Sequence, residues 1–281
     1  MSTTSRTVTV TEPAASGAAS PIVVAVNAAR RCAATLELAG ALAASVGADL
    51  DVLFVEDADL LRLADLPVTR EIDRLSGMAR ELDTRRMLRA LRVEVQQLHR
   101  ELARLARSTS VRASLRVVRG HYLTEALAAA AHGQATFVQG ARRALPGELF
   151  TASPPIVAGS AVVAGAARGA LWILFDGSAA GIRALKVALA LTRAPGRSLR
   201  VLVPDGGADE LESRKRAARM AAGGRDLQFL AVAQNWLSQA GRSLRPGAVS
   251  LLVLARTDPL MEAAAARDYL ESLPVPVVLV A

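Results

Sequence analysis

The chain has 281 residues, of which 52% are hydrophobic and 3% aromatic. This apolar fraction is enough to build a buried core, which excludes a chain that is disordered throughout. The net charge is +8 and comes almost entirely from Arg, because Lys occurs only at Lys186 and Lys215. We interpret this skew as compositional bias and expect no nucleic-acid partner.

Residues 1–20 are rich in Ser, Thr and Ala and contain no apolar stretch of the length that a signal peptide needs. We predict that they form a flexible N-terminal tail. The single cysteine, Cys32, excludes an internal disulfide framework and suits a reducing compartment. Together these features predict a cytoplasmic protein.

The first predicted unit is a strand, a helix and a second strand. Apolar runs of strand length occupy residues 22–26 and 49–55. Between them, residues 33–46 place aliphatic side chains at three- and four-residue intervals with few charges, which predicts a helix that covers a sheet. Two strands joined by such a helix form a right-handed βαβ unit with parallel strands.

A long Arg-rich segment follows, from residue 70 to residue 107. It contains no Pro and one Gly, Gly77, which predicts a helix of many turns. Ten Arg stand against six acidic residues, a mixture typical of a solvated face with ion pairs. The hydrophobic register changes between Asp83 and Arg86. Beyond this break a heptad seam is formed by Leu88, Leu91, Val95, Leu98, Leu102 and Leu105.

Three further strands are predicted at residues 113–118, 135–139 and 161–164. The stretch Ile156–Phe175 carries one charge, Arg168, and is long enough to cross a bilayer. It is also interrupted by three glycines and preceded by two prolines. We therefore interpret it as a strand, a linker and a strand, and predict no membrane span.

The second half of the chain repeats this pattern. A shift of 149 residues places residues 22–27 on 171–176 and residues 49–53 on 198–202 without a gap. Later strands match at shifts of 112 and 115, so the first half holds 37 more residues between its second and third strands. The strands predicted for the second half are 171–175, 198–203, 226–232, 249–254 and 276–280.

The predicted fold class is α/β, with two tandem doubly wound five-stranded, mainly parallel sheets and a long helical insertion in the first. The tail at 1–20 precedes a first domain at 21–168, which contains the inserted helix 70–107. A second domain occupies residues 169–281.

The second half resembles the universal stress protein family. Its opening strand ends in Asp176-Gly177-Ser178 before an Ala- and Leu-rich helix, and this resembles the first strand and the Asp-Gly-Ser turn of that family. Its ending, residues 273–280, is similar to the last helix-to-strand junction of the family. The resemblance covers nearly all of residues 21–281 as two diverged domains and implies an adenine-nucleotide-alpha-hydrolase-like fold.

In nucleotide-binding members of the family, the first-strand Asp meets the adenosine and a glycine-rich loop after the fourth strand wraps the phosphates. By resemblance, the cofactor-binding candidates are Asp176, Gly177, Ser178, Gly140, Arg142 and Gly147. The second-half loop at 254–261 has no glycine, and Arg143 occupies the second glycine position in the first half. The phosphate loop is therefore degenerate, and we expect no cofactor, ATP included.

Ordinary structural roles compete with these assignments. Asp176 closes a strand before a helix, which is the position of an N-cap. Arg142 and Arg143 can equally belong to a solvated basic loop. The histidines and the single cysteine lack metal-ligand spacing, and neither a nucleophile elbow nor a P-loop is present in the sequence. We predict no metal and no enzymatic activity.

The resemblance and the degenerate loop predict a non-catalytic protein that acts in stress response or regulation through protein association. One alternative is a nucleotide-responsive module that binds ATP or AMP, and another is a soluble accessory domain of a transport system. We expect the two domains to form an internal pseudo-dimer through their last strands, 161–164 and 276–280. The heptad seam either packs on its own sheet or forms an interface in a homo-oligomer or with a partner; we predict the interface, because the second half closes without this segment.

Overall fold

The computed structural model describes residues 6–9, 20–28, 33–66, 70–72, 77–81, 84–139, 170–193, 197–233, 236, 249–256, 270, 273 and 275–281. Within these ranges the helices are α1 (Ala33–Val46), α2 (Ala58–Ala64), α3 (Thr84–Thr109), α4 (Tyr122–Ala130), α5 (Ala179–Leu191) and α6 (Ala208–Ala221). The strands are β1 (Arg6–Thr9), β2 (Ile22–Val26), β3 (Leu50–Asp57), β4 (Arg70–Ile72), β5 (Ala79–Glu81), β6 (Ala113–Gly120), β7 (Ala135–Gln139), β8 (Ala170–Leu174), β9 (Leu199–Pro204), β10 (Gln228–Val232), β11 (Val249–Ala255) and β12 (Pro276–Val280).

One large sheet organises the described residues. Its strand order is β1-β6-β3-β2-β7-β12-β11-β8-β9-β10, while β4 and β5 pair separately as an antiparallel ribbon. Neighbours in the large sheet are parallel except for β1 with β6 and β7 with β12. The predicted α/β class with a mainly parallel sheet is confirmed.

Helices cover both faces of this sheet. On one face α3, α1, α5 and α6 pack side by side in that order and share a core with the strands beneath them. On the other face α4 packs together with Leu270 and Leu273. Because helix layers cover both faces, β2 is buried at every position, which explains why its sequence is a continuous apolar run.

The two halves of the chain arrange their strands alike, in the orders β6-β3-β2-β7 and β10-β9-β8-β11. They do not form separate five-stranded sheets as predicted, because β12 pairs antiparallel with β7, with Val277 opposite Val138. β12 has β11 on its other side, so both of its edges are occupied. The predicted pairing of residues 276–280 with 161–164 is therefore wrong; residues 161–164 lie outside the described residues.

The N-terminal segment contributes a strand to the sheet. The backbone of β1 pairs antiparallel with β6, with Arg6 opposite Val117 and Thr9 opposite Ser114. The prediction of a flexible tail over residues 1–20 is thus wrong for residues 6–9. Thr7, Val8 and Thr9 are β-branched residues, which favour extended backbone, and this local signal outweighs the Ser, Thr and Ala composition of the wider segment.

The inserted segment is shorter as a helix than predicted. Helix α3 begins at Thr84. Residues 70–72 and 79–81 instead form the β4–β5 ribbon. Gly77, between these two strands, has a φ of +67°, a left-handed conformation that glycine adopts without strain. The Thr84 hydroxyl donates to Asp65 Oδ1 at 2.6 Å. The change of register noted between Asp83 and Arg86 therefore marks the start of the helix.

Residues 170–174 of the apolar stretch Ile156–Phe175 form β8, as the strand prediction requires. Residues 156–169 lie outside the described part of the chain. None of the helices that the structure describes combines the length and the apolar character needed to cross a bilayer.

Candidate functional site

Parallel sheets gather ligands at the carboxyl ends of their strands, where neighbouring connections run in opposite directions. In the second half this point lies at the end of β8, because β9 flanks β8 on one side and β11 flanks it on the other. Asp176, Gly177 and Ser178 follow β8 directly. The structure therefore places these three candidates where a ligand would be sought.

The turn after β8 is closed by its own hydrogen bonds. The backbone N–H of Ser178 donates to Asp176 Oδ1 at 2.9 Å, and the backbone N–H of Gly181 donates to Ser178 Oγ at 2.9 Å. Gly177 permits the turn through a φ of +84°. Ser178, and not Asp176, is thus the N-cap of α5.

The carboxylate of Asp176 lies over the first turn of α5. A Cβ added at Gly181 would clash with Asp176 Oδ1. The exposed N–H groups and the positive dipole of a helix N-terminus favour an anion at this position. Here the chain supplies that anion itself.

The neighbouring helix start is also provided with acidic groups. Asp205 Oδ1 accepts from the backbone N–H of Gly207 at 3.0 Å, and Asp209 and Glu210 lie in the first turn of α6. Arg214 packs against the Gly177 turn, but its guanidinium donates to the carbonyl oxygen of Pro204 and pairs with Glu210. This guanidinium is therefore already engaged.

In the first half, a tyrosine hydroxyl donates to the backbone at the end of β2. β2 pairs with β7 only as far as Val24, and the next carbonyl, that of Ala25, accepts from Tyr122 Oη at 2.8 Å. Tyr122 is 3% exposed, and Asn27, which replaces the acidic residue of the second half, is equally buried. Tyr122 closely follows β6, where the sequence favours a turn, and in the structure it is the first residue of α4.

The remaining candidates of the phosphate loop, Gly140, Arg142 and Gly147, lie outside the described residues. His121 Nδ1 lies 3.0 Å from Asp59 Oδ2 at the protein surface. The described ranges contain no group of three His, Cys, Asp or Glu residues that could hold a metal ion.

The heptad seam packs inside its own domain. Leu98 and Leu102 are completely buried, and the other seam residues contact the same core. The partner surface is α1, which α3 approaches so closely that a Cβ at Gly40 would stand 3.0 Å from Leu105 Cδ2. The interface prediction is corrected accordingly: α1 buries the apolar stripe of α3, as the alternative of packing on its own domain requires.

A shallow cleft of about 240 Å³ lies at the opposite edge of the sheet, at the amino ends of β9 and β10. Arg197 and Arg225 line it together with Asp226. Arg197 Nη1 is buried with no hydrogen-bond partner among the described residues, and desolvation lowers the pKa of this guanidinium. None of the described sequence candidates lines this cleft.

No protein-family model matches the chain, and no curated protein sequence matches it. Among solved structures, the chain is similar to a universal stress protein from Archaeoglobus fulgidus DSM 4304, with 13% identity and a TM-score of 0.49 over 93% of this chain and 96% of that one. It is also similar to a putative universal stress protein from Pseudomonas aeruginosa UCBPP-PA14, with 13% identity and a TM-score of 0.45 over 93% of this chain and 92% of that one. The fold class itself rests on the strand order and helix layers of this chain.

Proposed function

We propose that the chain is a degenerate tandem protein of the universal stress type that has no catalytic activity and acts in the cytoplasm through association with another protein. The observation that carries this proposal is the Asp176 carboxylate over the first turn of α5, supported by Asp176 Oδ1 accepting from Ser178 N. A nucleotide phosphate at this helix start would have to displace or face that carboxylate.

The electrostatic cost opposes a phosphate group at this helix start in the second half. Two like unit charges 4 Å apart repel by about 1 kcal/mol in water and by about 4 kcal/mol at an effective dielectric constant near 20. Asp176 is exposed, so the lower figure applies to one phosphate charge, and a triphosphate carries several. The acidic first turn of α6 adds to this repulsion.

The first half offers no better place among its described residues. Tyr122 holds the carbonyl group that lies where β2 and β7 stop pairing, and Asn27 is buried. The two halves also hold each other: β7 pairs with β12, α1 packs on α5, and the guanidinium of Arg256 donates to the carbonyl oxygen of Ala130. These contacts support an internal pseudo-dimer.

Calorimetric titration of the full chain with magnesium ATP tests the proposal, together with mass spectrometry of the denatured protein. We expect no binding tighter than about 100 μM and no released nucleotide, because the loop at 254–261 has no glycine and the start of α5 is already occupied by a carboxylate. A dissociation constant in the low micromolar range that Asp176→Ala weakens would contradict the proposal. That result would favour the nucleotide-responsive alternative. The matched control is Ser213→Ala, on the exposed side of α6.

A further inference from the structure

The exposed side of α3 carries an unusual concentration of one charge. The helix contains seven Arg and two Glu. All seven Arg are exposed, whereas Glu94 and Glu101 are partly buried. We call this surface the arginine face; its members are Arg85, Arg86, Arg89, Arg92, Arg100, Arg104 and Arg107.

Helical geometry separates the arginine face from the rest of α3. At 3.6 residues per turn, its seven members fall within an arc of about 120°, and the heptad seam falls within an arc of about 100° on the opposite side. Glu94 and Glu101 lie between the two arcs, on one flank. Because Arg and Glu lie on different sides of α3, the sequence shows mixed charges although the exposed side is basic.

Within the arginine face, one row of positions follows steps of three and four residues. It consists of positions 85, 89, 92, 96, 100, 103 and 107, of which Gln96 and Ala103 alone are not Arg. The mean step of about 3.7 residues is close to the helical repeat, so the row runs almost parallel to the axis. At a rise of 1.5 Å per residue it is about 33 Å long.

Most of these charges are not balanced by acidic neighbours among the described residues. Arg86, Arg89, Arg92, Arg104 and Arg107 form no ion pair within the described ranges, and Arg100 Nε donates to the carbonyl oxygen of Gln96 at 3.4 Å. The equivalent helix of the second half differs, because Arg214 pairs with Glu210 and Lys215 pairs with Glu212. The positive field is therefore a property of α3 and not of both halves.

We propose that the arginine face binds an acidic α-helix of a partner protein, laid along α3 so that carboxylates repeating every three or four residues meet the row of Arg. This inference rests on the proposed function of association and names the surface and the chemistry of the partner. The planar guanidinium group suits it, because it can form two parallel hydrogen bonds to one carboxylate.

Geometry favours a helix over the other polyanions. A straight row of 33 Å meets the phosphates of a nucleic-acid duplex only where a strand crosses it, because each strand winds around the duplex once in about 34–36 Å. A membrane-bound helix inserts an apolar side into the lipid. The apolar side of α3 is in the core. Val93 is the one exposed large hydrophobic residue of α3 among the described residues. A second helix shares the rise and repeat of α3 over the whole row.

A labelled 22-residue peptide tests the proposal by fluorescence anisotropy with the full chain. The peptide is Ala-rich and carries Glu on one helical side at steps of three and four; a second peptide has the same composition in scrambled order. At low salt we expect the patterned peptide to bind at least tenfold more tightly than the scrambled one. We expect binding to weaken steeply as sodium chloride is raised from 50 to 500 mM, because salt screens exposed charges.

Two double variants distinguish the effect of the arginine face on peptide binding from the effect of the net charge. Arg89→Ala with Arg92→Ala removes two members of the row, and we expect it to weaken peptide binding at least tenfold. Arg193→Ala with Arg216→Ala removes the same charge from exposed positions elsewhere and should change binding less than twofold. Arg89→Lys with Arg92→Lys keeps the charge but loses the paired hydrogen bonds, and an intermediate loss is expected.

Equal weakening by both alanine variants, equal binding of the two peptides, or absence of binding at 50 mM salt would overturn the proposal. Tighter binding of a 20-base-pair DNA duplex than of the patterned peptide would also overturn it, in favour of nucleic acid. Because none of these measurements involves ATP or Asp176, failure here is distinguishable from failure of the proposed function.

Discussion

Leu98→Ala tests whether the two halves of the sheet unfold as one unit. Leu98 is completely buried between α3 and the core of the first half. Truncating a fully buried Leu to Ala costs about 3–5 kcal/mol, since it removes transfer free energy and leaves a cavity. With a urea m-value of about 3 kcal/mol/M for a chain of this size, the unfolding midpoint should fall by roughly 1–1.7 M.

Tryptophan fluorescence makes the test selective. The chain has two Trp, Trp172 and Trp236, and both lie in the second half, with ring centroids 6.4 Å apart. Their fluorescence therefore reports on the second half, whereas Leu98 belongs to the first. We expect the fluorescence midpoint to move as far as the midpoint from far-ultraviolet circular dichroism, because β7 pairs with β12 and α1 packs on α5.

Val93→Ala is the matched control, because Val93 lies on the same helix but is 50% exposed. It should shift the midpoint by an amount equivalent to no more than about 0.5 kcal/mol. A fluorescence midpoint that Leu98→Ala leaves unchanged, beside a circular dichroism curve that splits into two transitions, would refute the idea of a single unit. An unchanged free energy of unfolding would refute the packing of the heptad seam on its own domain.

Two further substitutions probe contacts that position the helices. Gly40→Leu should destabilise the fold by about 1–3 kcal/mol in urea denaturation, because the new side chain meets Leu105, whereas Ala41→Leu, on the exposed side of α1, should change stability by less than about 0.5 kcal/mol. Equal effects would place the α1–α3 contact elsewhere. Tyr122→Phe removes the hydrogen bond to the Ala25 carbonyl oxygen and should cost about 1–2 kcal/mol by the same assay; a neutral result would show that another group satisfies that oxygen.

Strand positions were predictable because a strand that is buried on both faces of the sheet has a continuous apolar sequence. The predicted ranges 22–26, 135–139 and 276–280 coincide with β2, β7 and β12. Pairing across the halves was not predictable in the same way. The apolar sequence of a strand shows that the strand is buried but not which strands pair with it. The pairing of β12 with β7 could therefore be found only from the structure.

The candidate site shows a similar division. The position of Asp176 at the end of a strand followed from the sequence, but its partner did not: the N-cap is Ser178, and Asp176 accepts from the N–H two residues on. Side-chain geometry within a single turn decides between these roles. The sequence analysis missed the arginine face for a related reason. Counting the charges along α3 does not show on which side of the helix each charge lies.

The pairing of β7 with β12 has a consequence for the order in which the protein is made. β12 is synthesised roughly 140 residues after β7, which at about 5–20 residues per second is a delay on the order of ten seconds. Until then β7 cannot meet its native neighbour, and its backbone N–H and C=O groups on that side lack their final partners. An unpaired strand edge in the middle of a nascent sheet can capture the wrong chain. The first half is therefore open to such mispairing during synthesis until the last strand of the sheet arrives.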